Sequence, residues 1–139
     1  MVYYGTQYTS EDMLPFTVRF AKGQPVYEQL VYSVKKAILS RQLRAGDPFP
    51  SVRQLSAELG INPNTVQKAI AALQAEGLLT AIAGVGTVVA AASPGTRAQR
   101  EQVLKDEVER LVVDAKRLSI TLDDLQQAVA HHWRRLEKP

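Results

Sequence analysis

The sequence predicts a mainly α chain with a single small β-hairpin, followed by a separate pair of helices. Three observations predict it. Between residues 51 and 77 two short helical stripes flank a glycine: Val52, Leu55 and Leu59 before Gly60, then Val66, Ala69, Ile70 and Leu73 after it. Directly behind them, Leu78-Leu79-Thr80 and Thr87-Val88-Val89 are β-prone runs joined through Gly84-Val85-Gly86. Past Ser93-Pro94-Gly95-Thr96, the residues Leu104, Val108, Leu111, Ala115 and Leu118 recur at 4-3-4-3 spacing, a heptad-like stripe.

Residues 1–15 form an N-terminal arm, polar with scattered Tyr3, Tyr4 and Tyr8. Two readings of it stay open: a mobile tail, or an arm that packs on a partner subunit. Phe16, Val18 and Phe20 alternate with Thr17 and Arg19, which predicts a short strand, and Lys22-Gly23 turns the chain. Pro25 suits a first helical turn, where its missing N–H costs nothing. Leu30, Val34, Ala37 and Ile38 then share one face of a helix that runs to about Ser40. Leu43-Arg44-Ala45-Gly46-Asp47-Pro48 is a loop rich in breakers.

Ser51, with Gln54 three residues on, makes a capping box for the second helix. Gly60 is placed to end that helix in left-handed backbone. Asn62 is a good N-cap for the third helix, with Pro63 at its first position, and Gly77 ends it. Only a few residues therefore connect the two helices, as a helix-turn-helix requires. With the hairpin behind, residues 16–92 read as a winged helix-turn-helix domain, a device that lays one helix in a DNA major groove.

Residues 93–96 read as a linker and 97–139 as a two-helix dimerisation region. The heptad-like stripe lies on a helix over about 97–117. Thr121 and Asp124 form another capping box, opening a last helix with Leu122, Leu125, Val129, Trp133 and Leu136 on one face. Two amphipathic helices of this size cannot bury both stripes against each other alone. The cover is either the first domain or a second subunit, and the second subunit is favoured, through Leu104, Val108, Leu111, Ala115, Leu118, Leu125, Val129 and Trp133.

Composition bounds the function without naming it. A hydrophobic share of 45% over 139 residues allows a real core. With no Cys there are no disulfides, thiolate metal sites or Cys nucleophiles, which suits a reducing cytoplasm. No apolar run approaches the ~20 residues of a membrane span, and the first residues lack the basic and apolar regions of a secretory signal. Net charge is +3, from 8 Lys+Arg against 6 Asp+Glu up to Ala92 and the remaining 9 against 8 beyond it. Any nucleic-acid binding must come from local placement of charge rather than from a global field.

That placement is found on the third helix. At 100° per residue, Asn64, Gln67, Lys68 and Ala71 lie opposite its apolar stripe. Asn and Gln pair bidentately with adenine, Lys reaches guanine or a phosphate, and Thr65 can meet a phosphate or a thymine methyl. The helix N-terminus favours a phosphate. Arg53, early in the second helix, sits where that helix crosses the DNA backbone.

Specific motifs sharpen this reading. Pro25-x-Tyr27-x-Gln29-Leu30, Gly46-Asp47-x-Phe49-Pro50-Ser51-x-Arg53-x-Leu55, Asn62-Pro63-Asn64-Thr65-Val66-x-x-Ala69, Leu73-x-x-Glu76-Gly77-Leu78 and Gly84-x-Gly86-Thr87-x-Val89 follow one another in order. Over roughly residues 16–90 the chain resembles the N-terminal domain of GntR-family bacterial transcription regulators, and its short two-helix tail resembles the YtrA-like subfamily. The resemblance implies a cytoplasmic homodimer, joined through the C-terminal helices, that represses an operon, often one for a transporter. It implies DNA contacts at Arg53, at Asn62, Pro63, Asn64, Thr65, Gln67 and Lys68, and at the hairpin tip, Ala83, Gly84 and Val85. The sequence departs from the family in one place. The usual Arg or Lys of the wing is replaced by Ala81-Ile82-Ala83 and Val85, which predicts a shallow salt dependence or help from Lys35, Lys36, Arg41 or Arg44.

Other signals are weaker. His131 and His132 are adjacent, point different ways on a helix and have no third ligand near them in sequence, so no metal is expected. Gly84-x-Gly86 lacks the ending of a phosphate loop. Ser51 has no sequence-level partner for nucleophilic catalysis, so no enzyme activity and no cofactor are expected. Two rivals differ in class: a winged-helix protein–protein adaptor, and a ligand sensor with an effector pocket between the C-terminal helices.

Overall fold

The computed structural model describes residues 7–8 and 14–137. Tyr3 and Tyr4 of the expected arm lie outside them. The chain separates into two compact units that meet between Ser93 and Pro94.

The first unit is built on three helices, α1 (Val26–Leu39), α2 (Val52–Leu59) and α3 (Pro63–Ala75), with α3 packed against both others. Two strand pairs accompany them. β1 (Gln7–Tyr8) runs antiparallel to β2 (Val18–Arg19), and β3 (Leu79–Ile82) to β4 (Gly86–Val89). The apolar positions expected from the helical and strand periods meet in one core, in which Phe16, Leu55, Leu59, Val66 and Leu73 are completely buried. Leu14, expected in the arm, is also buried there at 1% exposure. The alternation of Phe16, Val18 and Phe20 holds as three inward side chains, although only Val18–Arg19 is a strand.

Local chemistry explains each boundary. Pro25 stands just before α1 rather than inside its first turn, with φ −58° and ψ 130°. Ser51 Oγ accepts from the Gln54 N–H at 3.1 Å, opening α2. Gly60 takes φ 65°, the left-handed region where a Cβ is costly, and turns the chain out of α2. Ser56 Oγ then donates to the Ile61 carbonyl at 2.6 Å and pins the turn. Asn62 Oδ1 accepts from the Asn64 N–H at 2.8 Å, with Pro63 at the first position of α3. At its other end, N–H groups of Gly77 and Leu78 donate to the Gln74 and Leu73 carbonyls at 3.0 and 2.9 Å, closing the helix with a Schellman turn.

The hairpin has a third, irregular edge that the sequence did not announce. Pro48 bridges Val88, and the N–H groups of Gly46 and Phe49 each donate at 2.8 Å to the Val89 and Thr87 carbonyls. The segment entering α2 is thereby stitched to β4. Toward the tip β3 runs two residues further than expected and β4 one, leaving Ala83, Gly84 and Val85 as the loop.

The second unit consists of α4, residues 97–117, and α5 (Leu122–Glu137). α4 opens on a complete capping box in which Thr96 Oγ1 accepts from the Gln99 N–H at 3.1 Å and Gln99 Oε1 accepts from the Thr96 N–H at 2.8 Å. It differs from the expected plain α-helix. Gln102–Glu107 is π-helical, with wide i→i+5 turns that place Val103 beside Val108. Among the described apolar residues of this unit only Ala115 is buried. Just past the end of α4 stands Ser119, whose φ of 58° is left-handed without being glycine, and Ile120 N–H closes on the Ala115 carbonyl at 2.9 Å. Left-handed backbone costs a side-chain-bearing residue about 1–2 kcal/mol. A glycine loses about 0.4–1 kcal/mol of that gain to its freer unfolded chain. Ser119→Gly is therefore expected to stabilise by about 0.5 kcal/mol, read as a higher urea midpoint; a lower midpoint would refute the strain.

Candidate nucleic-acid interface

The helix-turn-helix presents its residues as the helical period dictates. The inner face of α3 (Val66, Ala69, Ile70 and Leu73) is buried, so its opposite face must look outward. Asn64, Gln67, Lys68 and Ala71 are exposed, and Thr65 is half-buried. Arg53, in the first turn of α2, is exposed, as are Asn62 and Pro63 at the entrance to α3. Two amides, one hydroxyl and one ammonium thus stand on the first turns of a rigid helix. This set can read purine edges and grip phosphates.

The entrance to α3 works differently from a bare helix N-terminus. Pro63 has no N–H, the Asn64 N–H is taken by Asn62 Oδ1, and the Thr65 N–H donates to the Asn62 carbonyl at 3.0 Å. The expected phosphate affinity of this end therefore rests on the helix dipole and on side chains, not on free backbone donors.

Ala83, Gly84 and Val85 lie at the exposed hairpin tip. Val85 N–H donates to the Ile82 carbonyl at 3.0 Å, and Gly84 completes this turn with φ 78°. The tip is apolar, with Val85 69% and Ile82 45% exposed. No cation stands on it. Of the lysines and arginines expected to help, Lys35 is engaged elsewhere: its Nζ pairs with Glu76 Oε1 at 2.9 Å and ties α1 to the end of α3. Lys36, Arg41 and Arg44 are exposed.

One contact was missed by the sequence. Lys68 Nζ stands 4.6 Å from the centre of the Tyr27 ring, a cation–π pair between α3 and the first turn of α1. The two residues are far apart in sequence, and no local pattern announces the pair. Buried Gln29 is the second omission. Its Oε1 accepts from the Ala21 N–H at 2.6 Å, and its Nε2 donates to the Ala21 and Gln24 carbonyls at 3.1 and 2.9 Å. It fastens the loop entering α1 and so sets where Tyr27 stands.

A tight helix-turn-helix with an outward polar face, closed by a glycine-tipped hairpin, defines a winged helix-turn-helix DNA-binding domain. Residues 26–89 match the family described as bacterial regulatory proteins, gntR family. The chain is 32% identical over 110 residues to the HTH-type transcriptional repressor YtrA of Bacillus subtilis, covering 78% of this chain and 81% of that one. It belongs to the GntR family and is a DNA-binding transcriptional regulator, similar to YtrA; such relatives are regulators, not enzymes. Among solved structures, YtrA from Sulfolobus acidocaldarius superposes with a TM-score of 0.54 at 27% identity, over 66% of this chain and 90% of that one. A transcriptional antiterminator from Listeria monocytogenes, at 21% identity, shares the fold with a TM-score of 0.79, over 89% and 93% of the two chains. Among the described residues no helix is long and apolar enough to cross a membrane.

Proposed function

We propose that the chain is a homodimeric repressor that reads a near-palindromic operator with α3 in the major groove. The observation that carries this is the exposed set Asn64, Gln67 and Lys68 on a helix whose other face is locked in the core. Thr65 and Arg53 meet the phosphates beside it, and the Ala83–Val85 tip lies at the adjoining minor groove. The repressor role follows the description of the B. subtilis relative. A transport-related operon as target follows from the family resemblance.

Dimerisation is supported by the second unit. A groove of about 540 Å³ between α4 and α5 is lined by apolar Val108, Leu111, Leu125, Val129 and Trp133. These are the stripe residues that one chain leaves uncovered, with Trp133 69% exposed. A second copy of this chain is the occupant that supplies matching stripes. Half-sites about one helical turn apart follow from that symmetry.

Selection of bound duplexes from random DNA tests the reading, and a two-fold related motif is the expected result. On the selected duplex, Lys68→Ala and Arg53→Ala are each expected to weaken binding and to reduce the salt slope by about 1 per lost phosphate contact, with both variants still folded and only a small fall in the Lys68→Ala unfolding midpoint from the lost Tyr27 contact. Unchanged affinity for both in a salt-matched gel shift would sink the contact assignment.

A further inference from the structure

We propose that Tyr27 is a positioning residue for DNA binding: its ring holds the Lys68 ammonium in place without neutralising it. The inference deepens the reading above and rests on α3 facing DNA. Lys68 is the one cation on α3. A lysine has a flexible four-carbon stem and loses rotamer freedom when it settles on a phosphate or a guanine. A stem already ordered in the free protein loses less, which raises affinity.

The contrast with Lys35 shows why an aromatic partner matters. Lys35 is paired with the Glu76 carboxylate at 2.9 Å, which cancels its charge toward DNA. Tyr27 offers an uncharged face 4.6 Å from Lys68 Nζ, so the ammonium keeps its charge and its outward donors. The ring is itself held. Tyr27 packs against the core, and Gln29, two residues on, anchors the preceding loop through three hydrogen bonds. Loop, ring and lysine form a continuous support from the core to the reading face.

A double-mutant cycle on the full-length protein tests this, with a duplex selected by the wild type as probe. Tyr27→Leu is expected to weaken binding roughly two- to fivefold, the size of an exposed cation–π pair. Tyr27→Phe, which keeps the ring, is expected to restore most of that loss. In a Lys68→Ala background, Tyr27→Leu is expected to have no further effect. Equal losses in both backgrounds would mean that Tyr27 acts through general stability, and the inference would fall. So it would if Tyr27→Phe lost as much as Tyr27→Leu, because the hydroxyl would then be the active group, or if Tyr27→Leu bound more tightly, because the ring would then hold the lysine back. Unchanged binding by Lys68→Ala alone would take down the reading of α3 together with the inference.

Discussion

A chain ending at Ala92 is expected to sediment as a monomer and to bind the operator at least about 100-fold more weakly than the full chain. The magnitude comes from avidity: in a dimer the second half-site is engaged at a high effective concentration, worth about 10²–10⁴ in affinity without any new contact. The first unit should survive the cut, because its core cluster lies wholly within residues 14–89. What is lost is the unit whose apolar stripes α4 and α5 leave exposed, with Leu104 and Leu122 each 69% exposed. Light scattering and gel shifts on one and two half-sites read the result. Equal affinity of the cut and full chains for a single half-site, with a large gap on the whole operator, is the expected pattern. A truncated chain that still dimerises would place the interface in the first unit, and the proposed role of α4 and α5 would be wrong.

The helix-turn-helix was legible because its boundaries are set by local chemistry. Ser51, Gly60, Asn62 and Pro63 each act on backbone within a few residues, and the structure shows each acting there. The outward face of α3 followed from one period and one buried stripe. What stayed hidden depends on pairing across the chain. Tyr27 and Gln29 belong to a motif visible in the sequence, yet their purposes appear only when α1 is laid beside α3 and the loop at Ala21. The third edge of the hairpin at Pro48 is a backbone contact that carries no side-chain signature. The π-helical turns of Gln102–Glu107 carry none either, since only one residue of the apolar stripe, Leu104, falls within them. The burial of Leu14 has no signature either, because a single leucine in a polar stretch has no period to be read from.

Phe16→Ala is expected to lower the unfolding free energy of the first unit by about 3–5 kcal/mol, a large share of the roughly 5–15 kcal/mol that holds a domain together. Phe16 precedes the family match, which begins at residue 26. The structure puts it at the centre. It is 0% exposed and stacks on Phe49 with ring centres 5.6 Å apart and planes 11° apart. Phe49 is bonded to β4 through its backbone, so this stack joins the N-terminal segment to the wing and to the entrance of α2. The neighbouring Thr17 is sutured as well. Its N–H donates to Gln42 Oε1 at 3.3 Å, and its hydroxyl accepts from Gln42 Nε2 at 3.1 Å. Removing the ring leaves a cavity whose walls are held from several directions and cannot collapse, which puts the cost at the upper end of the range. Tyr32→Ala is the matched control, since Tyr32 is an aromatic residue 61% exposed on α1 and its loss should stay within about 0.5 kcal/mol. Urea midpoints of the two variants decide the matter. A Phe16→Ala midpoint no lower than that of Tyr32→Ala would show that the segment before α1 is an appendage, and that the winged helix stands on α1 to β4 alone.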